Sequence, residues 1–409
     1  MIRRALGLLG KALFFLVILL LLAVQIVPPL LDRIYYQGPK GDHFDGARFF
    51  NPDGEDTVAP PGGGSRAGLM FNQLTGADGR PPWPASVPVT PSKPAPRVWG
   101  DAMVATWVGH ATMLVQTRGL NILTDPIWSD RTGPLGLGVR RVAAPGIRFE
   151  DLPPIDLVLV SHDHYDHMDL ATLKRLWDRD HPRIVTSPGN DTLLKGAGID
   201  QVSVLDWGWR TGPRDDLDLG CEEGTETCPV RYGVAVTRSH HWSSRWTTDR
   251  NRALWSSFVV TLPGGNIFFA GDTGPGDLAW PEEAKKWGPI RLAILPIGAF
   301  RFVPGQMVIP SHIGPVDAAE AFARLGAPTA IPIHWGTFRL SYEAYDTPPK
   351  LLAAVMKCRP DIGGHFAPVA IGQPVAIPPL TTPAAPSVAK VSREQVIRCL
   401  DTPAVKALR

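Results

Sequence analysis

Residues 162 to 167 read His162-Asp163-His164-Tyr165-Asp166-His167 and place three histidines and two aspartates in six positions. Neutral imidazole nitrogen combined with carboxylate oxygen is the donor set that suits zinc and similar divalent ions. His162 and His164 lie two apart, so in an extended loop both face the same way. Asp166 and His167 follow beyond a bend and can serve a second ion. A plain polar turn is the alternative, but four ligand-type residues at this spacing exceed what a turn needs.

Three more donors stand where apolar runs end: His241 after 234–237, Asp272 in Gly271-Asp-Thr-Gly274, and His334 after 330–333. Singly each is weak, because a lone His at a strand end is more often a satisfied polar group and an Asp among glycines often marks a turn. Together they complete a pattern. His162, His164 and His241 would hold one ion, Asp166, His167 and His334 a second, and Asp272 would bridge the two. Two ions about 3.5–4 Å apart lower the pKa of a shared water toward neutrality. The expected cofactor is two zinc ions per chain, although iron or manganese satisfies similar donors.

These donors need rigid elements behind them. The run 155–161, bounded by Pro153-Pro154, predicts a buried strand that ends in the ligand loop. Strands are predicted at 105–108 and 111–117, and Arg118-Gly119 turns the chain into a hairpin partner at 120–124. Leu170, Leu173 and Leu176 recur at helical spacing behind Asp169, a suitable cap, so 169–177 reads as a helix. Further strands are expected at 183–186, 202–205, 234–237, 292–296 and 330–333. A hairpin is expected over 258–270, and helices over 316–325 and 394–399. Strands interleaved with helices indicate a layered α/β fold.

The chain has 409 residues, room for one large domain or two ordinary ones. A net charge of +2 with no basic run gives no support to a nucleic-acid partner. In residues 1–31, Arg3, Arg4 and Lys11 lead an apolar run over 12–24, Gln25 interrupts it, and 26–31 resume it. About twenty apolar residues span a bilayer, and basic residues ahead of them keep the N-terminus inside. The expectation is an uncleaved membrane anchor with the catalytic domain on the exported, periplasmic or extracytoplasmic side. A cleaved signal peptide is the alternative, but its small-x-small site is missing. Proline, at 42 residues, is about twice its usual share and is plentiful in a lead-in over 32–98 and a tail over 381–409. Within the lead-in, 43–52 carries three Phe and should pack on the main domain, which spans 99–380.

None of the four cysteines falls among the donors. An even count in an exported chain suggests disulfides. Cys221 and Cys228 bracket an acidic loop that a bridge would pin. Cys358 and Cys399 would form a second pair, without local support, and four free thiols are the alternative.

The ligand loop with the later His, Asp and His, in this order, resembles the metallo-β-lactamase superfamily. The resemblance is closer to one branch, the N-acyl-phosphatidylethanolamine-hydrolysing phospholipase D group. It rests on Thr106-Trp-Val-Gly-His-Ala-Thr112, Leu123-Thr-Asp-Pro126, Leu152-Pro-Pro-Ile-Asp156, Ser161 to His167, His241-Trp242, Phe269-Ala-Gly-Asp-Thr273, Leu295-Pro-Ile-Gly-Ala299 and Ile333-His-Trp-Gly-Thr-Phe338. These cover about residues 100 to 340. The resemblance implies an αβ/βα sandwich with a dinuclear site at one edge of two sheets. It also implies hydrolysis of a phospholipid substrate to phosphatidate and an N-acylethanolamine.

By the same resemblance His241, rather than His240, is the ligand, because it precedes Trp242. Asp125 would steady the ligand loop, and His110 would sit behind the ligands or in the core. Asp272 would orient the attacking water. His312 would contact the phosphate or protonate the leaving alkoxide, or else be a turn residue at the surface. Trp242, Trp246, Trp335, Phe300 and Phe302 would line an acyl groove or belong to the core. The membrane segment, the lead-in and the stretch 301–312 depart from the group, so head-group and acyl specificity do not carry over. Two rivals stand: hydrolysis of a lactone, β-lactam or other phosphodiester by the same fold, and a non-catalytic membrane protein. The complete donor set argues against the second.

Overall fold

The computed structural model describes residues 2–31, 33–55, 80–212, 231–246, 248–302, 309–380 and 390–408. Helix α1 spans Ile2–Leu31. An antiparallel meander follows, β1 (Met103–Gly109), β2 (Thr112–Thr117) and β3 (Leu120–Thr124), with Arg118 and Gly119 both at positive φ in its turn. A two-stranded ribbon, β4 (Arg131–Thr132) and β5 (Val139–Arg140), stands apart. Next come β6 (Leu157–Leu159), α2 (Leu170–Asp180), β7 (Arg183–Thr186), α3 (Asn190–Gly196), β8 (Val202–Val204) and β9 (Arg210–Thr211). The second half holds β10 (Gly233–Thr237), β11 (Ser257–Thr261), β12 (Asn266–Phe269), α4 (Trp280–Lys285), β13 (Ile290–Pro296), α5 (Pro315–Leu325) and β14 (Thr329–Ile333). It closes with α6 (Thr347–Lys357), β15 (His365–Phe366), β16 (Pro374–Ala376), α7 (Arg393–Cys399) and α8 (Pro403–Lys406).

The strands form two seven-stranded mixed sheets, ordered β16-β1-β2-β3-β6-β7-β8 and β15-β14-β13-β12-β11-β10-β9. Alternation along each strand sorts side chains between two faces. Met113, Val115, Leu157 and Leu159 of the first sheet join Ile267, Phe269, Leu292 and Ile294 of the second in one buried cluster between the sheets. Leu114 and Val158 face outward with Leu173 and Leu176 of α2, and Phe268, Ala293 and Leu295 face Phe322 and Leu325 of α5. Both sheets are thus covered by helices, which is why the central strands read as continuous apolar runs. The result is the αβ/βα sandwich that the resemblance implied. Asp169 caps α2 by accepting from Thr172 N–H.

Several expectations change. Among the described residues no helix is long and apolar enough to cross a membrane. The uninterrupted apolar run, 12–24, covers about 20 Å of helix at about 1.5 Å per residue, short of a hydrocarbon core of about 30 Å. The transmembrane anchor, and the exported, periplasmic or extracytoplasmic, location of the catalytic domain that rested on it, are therefore corrected. The segment just before residue 380 closes the first sheet: β16 pairs antiparallel with β1 despite Pro374, which is tolerated on an edge strand. Cys358 and Cys399 form a disulfide with Cα atoms 5.9 Å apart, and it ties α7 to the end of α6. This is the second pair expected from the sequence, and it had no local support because the two cysteines lie 41 residues apart and meet only when the tail packs on Phe300, Leu351 and Val355. Cys221 and Cys228 lie outside the described residues. The stretch 43–52 packs as expected, with Phe44 and Phe49 buried against Leu254 and Trp255.

Candidate metal centre

The seven donors converge at one edge of the sandwich. His162, His164, Asp166 and His167 occupy the loop after β6, while His241, Asp272 and His334 follow β10, β12 and β14. Asp125, at the end of β3, holds the loop from behind. Its carboxylate accepts from Ser161 N–H at 2.7 Å and Ser161 Oγ at 2.6 Å, and lies 2.6 Å from His167 Nδ1. A hydrogen bond at Nδ1 leaves Nε2 of His167 for the site. His162 is set the same way by Ser161 Oγ, 2.9 Å from its Nδ1, and His241 by the Ser311 carbonyl at 2.7 Å.

Inside the cluster the spacing is close. His162 Nε2 lies 2.8 Å from His164 Nδ1, and His241 Nε2 lies 3.4 Å from the same atom. Asp272 Oδ2 is 3.1 Å from Nε2 of both His167 and His334, and 3.8 Å from His241 Nε2. Asp166 Oδ2 is 3.6 Å from Nε2 of His167 and of His334. Four sets of potential metal donors lie within 4.8 Å among the described residues: His162, His164, His241 and Asp272; His110, Asp166, His167 and His334; Asp125, His162 and His167; and Asp272, His312 and His334. His110 reaches Asp166 Oδ2 at 2.9 Å and so backs that carboxylate. His312 Nδ1 lies 3.7 Å from Asp272 Oδ2, so His312 borders the donors and is not a remote turn residue. His240 turns away, to Asp53 at 2.8 Å, while the buried His241 faces the cluster.

The backbone is unusual where the donors are placed. His110, Asp125 and His334 all have positive φ, a region non-glycine residues rarely adopt. Such conformations persist only where surrounding contacts enforce them. At His334 these are the hydrogen bond from its N–H to the His110 carbonyl, 3.0 Å, and the close approach of Gly298. A Cβ at Gly298 would stand 2.1 Å from the His334 carbonyl oxygen, so only glycine fits.

The electrostatics suit a cation. Burial holds His162 and His241 far below the usual imidazole range and lowers His164 and His110 to about 3 and His312 to about 4. For His167 and His334 burial acts downward too, but Asp272 and Asp166 outweigh it, lifting His167 well above its usual value and His334 to about 9. Burial would raise Asp166 and Asp272, yet the surrounding histidines, His167 foremost, hold both well below the carboxylate range. At neutral pH His162, His164 and His241 are thus uncharged and the two carboxylates ionised, the states in which these groups bind metals, whereas His167 and His334 are protonated in the metal-free protein and would release their protons on binding. Nε2 of His164, Nδ1 of His334 and Oδ1 of Asp272 are buried with no hydrogen-bond partner among the described residues. Such orphans cost about 1–3 kcal/mol each. A divalent cation facing these atoms would offset that cost, so the donor set fits a metal.

Sequence reasoning missed Arg245, whose Nη1 donates to the carbonyls of Asp163 and Met168, both at 2.8 Å, and so braces the ligand loop across the fold. No local pattern marks it. Of the five aromatics considered for a groove, Trp335 packs at a tilt against Trp107 and Phe300 is fully buried, while Trp242 packs edge-on against His164 and Trp246 is exposed. Phe302 is half-buried. A cavity of about 530 Å³ opens behind Trp107 and Trp335, and none of the seven donors lines it.

The model of the "Beta-lactamase superfamily domain" family matches residues 120–335. The chain is 34% identical over 275 residues to the N-acyl-phosphatidylethanolamine-hydrolyzing phospholipase D 1 of Caenorhabditis elegans, covering 64% of this chain and 72% of that protein. It is 32% identical over 239 residues to a metal-dependent hydrolase of Nitratidesulfovibrio vulgaris (strain DP4), covering 57% of this chain and 80% of that one. Among solved structures, one described as a possible metal-dependent hydrolase from Veillonella parvula DSM 2008 superposes with a TM-score of 0.50 at 15% identity. It covers 67% of this chain and 99% of that one, a likeness of fold alone. With more than half of its length in the family match, and its donors gathered at the edge of two helix-covered sheets, the chain belongs to the metallo-β-lactamase superfamily of metal-dependent hydrolases.

Proposed function

We propose that the chain is a zinc-dependent phosphodiesterase of the phospholipase D type, cleaving N-acyl-phosphatidylethanolamine to an N-acylethanolamine and phosphatidate. In this reading His162, His164 and His241 would hold one ion and Asp166, His167 and His334 the other, with Asp272 as a ligand shared between them. The observation that carries it is the gathering of His241, His167 and His334 within 3.8 Å of Asp272 Oδ2 in a chain 34% identical to a relative bearing that activity in its name. Two bound divalent ions would neutralise phosphoryl oxygens and lower the pKa of water at the site. Asp272, ionised and central, orients the attacking water, and its unpartnered Oδ1 can accept that water's proton. His312 faces Asp272 and is held neutral, so in this reading its ring N–H contacts the phosphate, and to protonate the leaving alkoxide it would first have to take up the proton that Asp272 removes from the attacking water. Asp125 and His110 keep the ligands of the loop oriented.

A second reading, hydrolysis of a lactone, β-lactam or other phosphodiester by the same centre, is favoured by the relative described only as a metal-dependent hydrolase. One substrate panel separates the two. Purified protein supplemented with zinc is offered N-acyl-phosphatidylethanolamine, simple phosphodiesters, a lactone and a β-lactam. Release of phosphatidate and N-acylethanolamine in preference to the other products is expected. Turnover of the lactone or lactam with an inert phospholipid would overturn the phospholipase reading. Metal analysis of the same preparation should find two zinc per chain, and one ion or none after supplementation would sink the dinuclear centre.

A further inference from the structure

His240 and His241 are adjacent, and in an extended backbone neighbouring side chains point to opposite faces. A small roll of this peptide therefore decides which imidazole enters the cluster. The lead-in ahead of the fold contacts both residues. Asn51 Nδ2 donates to the His241 carbonyl at 2.8 Å, and Asn51 Oδ1 accepts from His241 N–H at 3.3 Å and from Trp255 Nε1 at 3.0 Å. One amide thus grips the His241 peptide on both sides. Two residues further on, Asp53 Oδ1 takes the ring of His240 at 2.8 Å, and Asp53 Oδ2 accepts from Asp277 N–H at 3.1 Å. The segment is itself anchored, through Phe49 N–H to the Asn251 carbonyl at 2.8 Å and through Phe44 and Phe49 in their cluster with Leu254 and Trp255.

We propose that Asn51 is a positioning residue for His241. It locks the His241 backbone in the one roll that aims this imidazole, and not that of His240, at the centre. A segment outside the family-matched span 120–335 thereby completes the site. The inference rests on reading His241 as a metal donor.

The test uses full-length protein stripped of metal and titrated with zinc against a competing chelator. The visible spectrum of the cobalt-loaded protein serves as a second readout, and the melting temperature of the metal-free protein controls for folding. His241→Ala should lose tight binding of one ion of the two. Asn51→Ala should weaken the same ion about ten- to a hundredfold, leave the other unchanged, and shift the cobalt spectrum. Asn51→Asp keeps an oxygen for His241 N–H and Trp255 but loses the donation to the carbonyl, so it should fall between wild type and Asn51→Ala. It also carries the test if Asn51→Ala does not fold. Wild-type affinity and spectrum in both Asn51 variants, beside a clear loss in His241→Ala, would overturn the positioning role. Retention of both ions by His241→Ala would instead overturn the reading of the centre.

Discussion

The two halves of the candidate centre are built differently. Four donors lie within 162–167 on one loop, braced from behind by Asp125 and Arg245. The other three lie far apart, at 241, 272 and 334, each at the end of its own strand in the second sheet. Each of these answers to remote partners: His241 to Ser311 and Asn51, His334 to His110 and Gly298, and Asp272 to the histidines of both halves. The local half concentrates charge and is held by two braces, Asp125 and Arg245. The distributed half sets geometry and depends on the packing of the whole sandwich.

The most damaging single change should be at the joint between the halves. Asp272→Asn preserves shape but removes the charge facing His167 and His334. It should keep the fold and reduce turnover by more than the ~10–100-fold typical of supporting residues around a metal. Near-normal steady-state rates in that variant would take Asp272 out of the site. A step down, Asp125→Asn tests the brace of the local half. Asn tolerates the positive φ of this position, so the backbone should hold. Metal affinity should drop by about 10–100-fold through misorientation of His167, as read by chelator competition. Unchanged affinity would mean that the loop keeps its shape without Asp125.

Protonation sharpens the comparison in the metal-free protein. His164, His110 and His312 are held below their ordinary value of 6.5, at about 3, 3 and 4. The unfolded chain then binds more protons below pH 6.5, so stability falls as pH drops from 6.5 toward 4. His334 is raised to about 9, so the stability it contributes is complete below pH 6.5 and is lost as pH rises through 9. The melting temperature of metal-free protein should therefore peak near pH 6.5, and zinc should flatten the profile. A profile that falls steadily from pH 9 to pH 4, without the alkaline loss, would contradict the placement of His334 between two carboxylates. The smallest effect on the centre is expected from Cys358→Ser. Loss of the tail disulfide should cost about 2–4 kcal/mol of stability, measured by denaturant unfolding. Activity should be unchanged, because the bridge ties α7 to α6 and touches no donor. A change in metal affinity would show that the tail reaches the centre.

The donors of the local half were legible because they are close in sequence: six residues and a preceding apolar run already specify a strand and a metal loop. The central strands, α2 and α5 were legible for a related reason, since their periodicity is a local record of two-sided or one-sided burial. His241, Asp272 and His334 were legible as donors at the ends of apolar runs, and the family resemblance added the choice of His241 over His240 and the role of Asp125. Apolar composition did not settle the N-terminal stretch, where Gln25 and the prolines at 28 and 29 break the run. Other features have no local signature at all. β16 is a short segment containing proline that becomes a strand only because β1 offers it an edge. The Cys358–Cys399 bridge needs the tail to pack on α6. The choice of His241 over His240 is made by Asn51 and Asp53, about 190 positions away. Residue types and spacing alone determined which atoms could bind a metal. Which of them meet, and which way each ring turns, only the tertiary structure decided, because those choices depend on contacts between segments that sequence order keeps apart.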